Sequence, residues 1–286
     1  RALKLMHPAL VSSADHRERF VREAQVGARI ASEHVVEVTA AGVDELSGLP
    51  YLAMELLEGE TLHSYVKRRG FLPPGEVALV FQQLAHAMMA AHAAGIVHRD
   101  LKPENVFLAL SRRAGAAPYV VKVLDFGIAK LAAEAGTRGT TGAMGSPLWM
   151  APEQTERGPI SAAADVWALG LVAYFALTGS VFWRAARDPH TTIAQVLREI
   201  VLEPIPAATL RANEAGLLDR LPPGFDRFFA RAVARDPAAR FPDAAAFWRA
   251  MASMLEATGA TALALPPSWG DRAVPRSADP ASGDRA

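Results

Sequence analysis

Apolar positions change their rhythm along this chain, from short extended runs to long helical ones. Residues 2–6 read as a short strand. Ser12-x-x-Asp15 resembles a capping box and predicts a helix to about residue 31, with Phe20, Glu23, Gly27 and Ile30 on one stripe. An interior glycine costs a helix about 1 kcal/mol relative to alanine, so Gly27 implies either close packing or a mobile helix. Residues 35–41 and 51–56 read as strands around a turn at Ser47-Gly48. Beyond them the period becomes helical. Pro73-Pro74-Gly75 precedes one apolar face made by Val77, Val80, Phe81, Leu84 and Met88, and Gly95 is a natural stop. Further helices are predicted near 163–178, 192–202, 225–235 and 243–255. The longest apolar run, 166–177, is shorter than the roughly 20 residues of a membrane span and reads as a buried core helix.

One hairpin changes the picture from fold to chemistry. Residues 106–110 and 119–124 read as apolar strands joined by a polar, Gly- and Pro-containing link. Antiparallel pairing brings their outer ends together. Asn105 precedes the first strand and Asp125 follows the second, so the hairpin sets them side by side. The segment 98–104 leads into the same end, adding Asp100 and Lys102. Two carboxylates and an amide oxygen suit a hard divalent cation such as Mg²⁺, which accepts few protein ligands and keeps several waters. A spare carboxylate can orient a hydroxyl nucleophile, and a lysine can neutralise a transferring phosphoryl group. Together they fit phosphoryl transfer, where positioning and electrostatics supply most of the catalysis. Singly, each has a plainer reading: Asp100 caps a turn, Asn105 starts a strand, Asp125 ends one.

Composition narrows the classes. With 286 residues and 51% hydrophobic content, the chain can bury a large core in one domain or two lobes. A formal net charge of +0 argues against general affinity for nucleic acid or an anionic membrane. The absence of cysteine rules out disulfides and Cys-based metal sites and suits a reducing compartment. No basic segment followed by an apolar one opens the sequence, so no signal peptide is read. The expected location is cytoplasmic, with room for a membrane anchor elsewhere in a parent protein. The Pro-, Ser-, Asp- and Gly-rich end reads as a disordered tail or linker.

The ordered motifs carry a resemblance. His98-Arg99-Asp100-Leu101-Lys102-Pro103-Glu104-Asn105 resembles the catalytic loop of protein kinases. Asp125-Phe126-Gly127 resembles their metal-binding DFG, and Ala151-Pro152-Glu153 the APE that closes the activation segment. The resemblance extends to about residue 256 and is strongest to the bacterial Ser/Thr kinases that look like eukaryotic ones. It implies an α+β, two-lobed fold with a truncated β-rich N-terminal lobe (1–57), a mainly helical C-terminal lobe (58–258) and a tail (259–286). It also implies ATP and Mg²⁺, with Mn²⁺ as an alternative, and transfer of the γ-phosphoryl group to Ser/Thr hydroxyls of protein substrates.

The roles implied by the resemblance fall residue by residue. Asp100 accepts the hydroxyl proton; Lys102 contacts the transferring phosphate and marks the Ser/Thr class; Asn105 and Asp125 hold the metal. Arg1-Ala2-Leu3-Lys4 resembles the V-A-I-K strand, so Lys4 binds the α- and β-phosphates with Glu23 as its partner. A carboxylate on an apolar stripe needs such a cation, the plainer reading being a solvated Glu23 beside Arg19 and Arg22. Residues 51–59 resemble the hinge. Met54 then stands behind the adenine, backbone groups of Glu55 and Leu57 bind its edge, and Ala2 and Phe107 sandwich the ring. Asp165 resembles the aspartate that anchors the catalytic-loop backbone, the plainer reading being a helix-start carboxylate. Arg240 resembles the late arginine that pairs with Glu153. Thr137, Thr140 and Thr141 are candidates for autophosphorylation, with Arg99 to receive the phosphate, and Ser146 lies near the substrate hydroxyl. His63, His86 and His92 read as ordinary helix or loop residues.

Two features stand outside that pattern. No G-x-G-x-x-G occurs, and the first glycine is Gly27. The expectation is a fragment of a longer protein whose ATP phosphates lack cover, so that these residues alone bind ATP weakly. The other readings are a pseudokinase-type binding module without turnover and a kinase of small molecules. The intact motif residues oppose the first, and the APE and Asp165 segments oppose the second.

Overall fold

A computed structural model describes residues 1–11, 13–24, 26–111, 118–126, 147–156, 158–188 and 190–257, with the backbone alone at 9, 19, 23 and 28. Strands β1 (Ala2–Leu5), β2 (Val38–Val43) and β3 (Pro50–Met54) form an antiparallel sheet in the order β1-β3-β2. Gly48 turns β2 into β3 at φ +68°, and the Asp44 carboxylate accepts from the Ser47 N–H and hydroxyl at 2.8 and 2.7 Å. Helix α1 (Ala14–Ala24) lies against this sheet, and Phe20 packs with Leu10, Val11, Ala24 and Leu52 in a small core of its own. Complete burial of one such phenylalanine contributes about 1.5–3 kcal/mol.

The expected helix to residue 31 is corrected at both ends. Ser13 serves as its cap, one residue later than expected, its hydroxyl accepting from the His16 N–H at 3.1 Å. The helix stops at Ala24, and a single-turn 3₁₀ segment spans Val26–Arg29. Gly27 therefore leaves the stripe, and Ile30 is buried in the larger core rather than beside Phe20. Burial of Ile30 in another cluster overrides a helix already weakened by glycine. Close packing is not the reason for Gly27, since a Cβ there meets nothing within 4 Å.

The remainder is mainly helical. Strands β4 (Gly59–Thr61), β5 (Val106–Leu110) and β6 (Tyr119–Val123) form a second antiparallel sheet against α3 (Pro74–Ala93). Helix α2 (Leu62–Arg69) separates β4 from α3 and is capped by Thr61, whose hydroxyl accepts from the Ser64 N–H at 3.2 Å. The predicted face of α3 is buried throughout, and Gly95 ends it at φ +72°. Helix α4 (Ala162–Thr178) is buried on all sides, as its unbroken apolar run requires. It ends at Gly179, φ +74°, where a Cβ would lie 1.8 Å from the Gly70 carbonyl oxygen. Helices α5 (Ile193–Val201), α6 (Ala208–Asn213), α7 (Phe225–Ala232) and α8 (Ala244–Glu256) complete the lobe. β4, α2 and α6 went unforeseen, being too short to establish a period. Among the described residues no helix is long and apolar enough to cross a membrane.

Two junctions hold the catalytic-motif segments in place. The first joins the sheets. Val35 bridges Val123 in parallel, the Val36 N–H donates to the Val123 carbonyl at 3.0 Å, and the Val123 N–H donates to that of His34 at 2.8 Å. The buried His34 ring reaches the Val121 carbonyl through Nδ1 at 3.0 Å and stands edge-on to His86, 5.2 Å between centroids. His86 Nδ1 in turn meets the Ser32 hydroxyl at 2.9 Å. The second junction is Arg240. It grips the Glu153 carboxylate with two bonds of 2.7 Å and donates to the carbonyls of Ala234, Ala163 and Arg235 at 2.6, 2.8 and 3.2 Å. All five guanidinium N–H groups are thereby used.

Arg240→Met should cost about 3–5 kcal/mol in urea unfolding, because it strands the Glu153 carboxylate and three carbonyls; a loss near zero would show that the junction is not structural. The histidine pair makes stability depend on pH. Burial holds His34 below its ordinary pKa, and burial with the charge of His34 does the same for His86. Their raising influences, the Val121 bond for His34 and Glu33 for both, are smaller. The unfolded chain then binds more protons just below the ordinary value of about 6.5, so stability falls on acidification through that window. Melting temperature should drop between about pH 7 and about pH 5.5, and less so for His86→Gln. Parallel curves for the two proteins would refute this.

Candidate active site

The hairpin forms antiparallel as expected, with Val106 opposite Val123 and Leu110 opposite Tyr119. One further bond, from the Leu124 N–H to the Asn105 carbonyl at 2.9 Å, carries the pairing to the strand ends. Asp125 comes directly after and turns out of the ladder at φ 64°, a left-handed conformation that aspartate tolerates better than most residues. Asp100, Lys102, Asn105 and Asp125 therefore gather at one end of the hairpin.

Their polar contacts define the geometry. Lys102 Nζ donates to Asp100 Oδ2 at 2.7 Å. Asn105 Nδ2 donates to the Asp100 carbonyl at 2.8 Å and to its Oδ2 at 3.3 Å. A carbonyl can only accept, so this pairing fixes the amide orientation and turns Oδ1 away from the Asp100 carbonyl. Lys4 Nζ meets Asp125 Oδ2 at 2.5 Å, reaching across from the edge of the first sheet. Lys4 is 40% exposed and Asp125 21%, so the pair is open to solvent on one side. Among the described side chains Asp125 is the ion-pair partner of Lys4; the expected partner Glu23 has its side chain outside them.

The loop that carries Asp100 is held from below. Asp165, 1% exposed in the first turn of α4, accepts from the His98 N–H and His92 Nε2 through Oδ2 and from the Arg99 N–H through Oδ1, each at 2.9 Å. A carboxylate so deeply buried needs such donors. Arg99 itself sits at φ 67°, a strained position for a residue with a long side chain. His98 Nε2 donates to the Leu124 carbonyl at 2.8 Å, so Nδ1 is the acceptor for the Asp100 N–H at 3.3 Å. The His98 ring also packs at a tilt against Phe126, 4.6 Å between centroids. One side chain thus ties the catalytic loop to the residue before Asp125.

The predicted hinge comes after β3. Ala2 pairs with Met54 across β1 and β3. The Glu55 N–H donates to the Glu37 carbonyl at 3.0 Å, and its side chain accepts from Lys122 Nζ at 2.7 Å, which leaves the Glu55 carbonyl as its backbone offering. Phe107 is part-exposed between buried Val106 and Leu108. Gly127, Thr137, Thr140, Thr141 and Ser146 lie outside the described residues. Two partners were missed in the sequence: His92, which reads as an ordinary helix residue, and Gln154, which donates to the Arg99 carbonyl at 2.7 Å. Neither has a spacing that marks it; both meet the loop only through the fold.

Known proteins resemble this chain in sequence and fold. The chain matches the protein kinase domain family over residues 1–247. It is 38% identical over 251 residues to Serine/threonine-protein kinase Pkn1 of Myxococcus xanthus, covering 87% of this chain and 34% of that protein. It is 35% identical over 265 residues to Serine/threonine-protein kinase PknL of Mycobacterium tuberculosis, covering 93% of this chain and 60% of that protein. The chain thus spans about a third of Pkn1 and three-fifths of PknL. The crystal structure of the Mycobacterium tuberculosis PknI kinase domain superposes with a TM-score of 0.64 at 27% identity, over 89% of this chain and 84% of that one. A protein-kinase fold, the ordered motifs and these relatives, themselves bacterial Ser/Thr kinases, agree: the chain belongs to the protein kinase domain family.

Proposed function

We propose that this chain transfers the γ-phosphoryl group of ATP to Ser or Thr hydroxyls of protein substrates. The observation that carries the reading is the collection of Asp100, Asn105 and Asp125 at one end of a single hairpin, each carboxylate beside a lysine. Asp100 takes the proton of the attacking hydroxyl, and Lys102, 2.7 Å away, spans Asp100 and the transferring phosphoryl group. Lys4 carries positive charge to the α- and β-phosphates. Asn105 Oδ1 and Asp125 offer hard oxygen donors of the kind Mg²⁺ accepts. The ammonium of Lys4 on Asp125 supports a cation at this position. Among the described residues no group of three His, Cys, Asp or Glu could hold a metal ion. When bound, Mg²⁺ or Mn²⁺ neutralises charge on the phosphates.

The hinge supplies the adenine contacts, with Glu55 and Leu57 at the edge, Met54 behind, and Ala2 and Phe107 on the two faces. Glu23 is the proposed second partner of Lys4 once phosphates occupy Asp125's side. Phosphorylation at Thr137, Thr140 or Thr141 would add a dianion for Arg99 to receive through charge-assisted bonds. For residues 1–286 by themselves we expect weak ATP affinity, since Lys4 and the outer edge of β1 are open to solvent. Protein substrates are favoured over small molecules because residues 147–156 are anchored as a platform against α4 and the loop before α8.

Phosphate transfer from radiolabelled ATP to a Ser/Thr peptide tests the reading. Asp100→Asn should lower kcat by about 10²–10⁴ with nucleotide affinity retained, and Asp125→Ala should abolish the Mg²⁺-dependence of ATP binding. Equal transfer by wild type and Asp100→Asn would overturn the assignment.

A further inference from the structure

Arg99 holds a strained backbone conformation immediately before Asp100. A non-glycine residue at φ 67° costs about 1–2 kcal/mol, and the surroundings must hold it there. The Arg99 N–H is fixed by Asp165 Oδ1 at 2.9 Å. The next peptide unit, which joins Arg99 to Asp100, is held at both ends. Its N–H, belonging to Asp100, donates to His98 Nδ1 at 3.3 Å, and its carbonyl accepts from Gln154 Nε2 at 2.7 Å. The rotation of this peptide unit sets where the Asp100 side chain leaves the loop.

Gln154 spans two segments. Its Oε1 accepts from the Ala151 N–H at 3.0 Å while Nε2 reaches Arg99. An N–H can only donate and a carbonyl only accept, so the amide has one workable orientation. Its own base is rigid: Ala151 is fully buried, and the neighbouring Glu153 is clamped bidentately by Arg240. Any displacement of residues 151–155 must therefore rotate the peptide that carries Asp100.

We propose that Gln154 is a positioning residue that couples the anchor of residues 147–156 to the catalytic loop by holding the Arg99–Asp100 peptide. The proposal rests on the kinase reading of Asp100, and the test separates the two. Gln154→Glu keeps an acceptor for Ala151 but presents a second oxygen to the Arg99 carbonyl. Gln154→Met keeps the volume and loses both bonds. In the full chain, both variants should lower kcat about tenfold, the loss expected when the part-buried hydrogen bond to the Arg99 carbonyl, about 1.4 kcal/mol, is removed. Peptide KM should stay within about twofold, since the residue does not touch substrate. Hydrogen–deuterium exchange of residues 98–105 should quicken in both, and more in Gln154→Glu. Unchanged exchange there would overturn the proposal, as would a raised KM at constant kcat, which would make Gln154 a substrate contact. If the wild type transfers no phosphate, the kinase reading fails and the exchange comparison still decides whether Gln154 positions the loop.

Discussion

The site depends on a single buried carboxylate. Asp165 lies within α4 and receives the N–H groups of His98 and Arg99 together with the imidazole of His92. An unpaired charge at 1% exposure would be prohibitive, so the loop that satisfies it is held in one shape. That shape includes a left-handed Arg99, which an isolated loop would not keep. The buried α4 supplies the fixed platform, and the strain is offset where the burial is deepest. The preorganisation of Asp100 is in this sense a property of the core.

The second constraint is the junction between sheets. Lys4 lies on the first sheet and Asp125 lies just beyond the last strand of the second, yet their side chains meet. Segment 34–36 makes this possible by bonding to Val123, two residues before Asp125. The lysine is delivered by β1, whose place is set by β3, while β6 sets the aspartate. Packing within each sheet and a few backbone bonds between them define a distance that neither half controls alone.

Much of this architecture is legible in the residues themselves. The hairpin, the helix over α3 and the buried run of α4 follow from period and punctuation, because burial there is uniform along the element. The motif residues could be placed at one end of the hairpin from strand pairing alone. The end of α1 was not legible: Ile30 has the right spacing for the Phe20 stripe but is buried elsewhere. The short β4, α2 and α6 carry too few residues for a periodic signal.

What the sequence by itself determined was the family and the identity of the acids, amide and lysines, since local spacing and strand pairing are written in consecutive residues. Tertiary structure alone decided that Lys4 pairs with Asp125, that His92 joins Asp165, and that Gln154 grips the peptide before Asp100. Those contacts join residues 55 to 121 positions apart. No local pattern encodes them, because each depends on two separately packed segments arriving within hydrogen-bond distance.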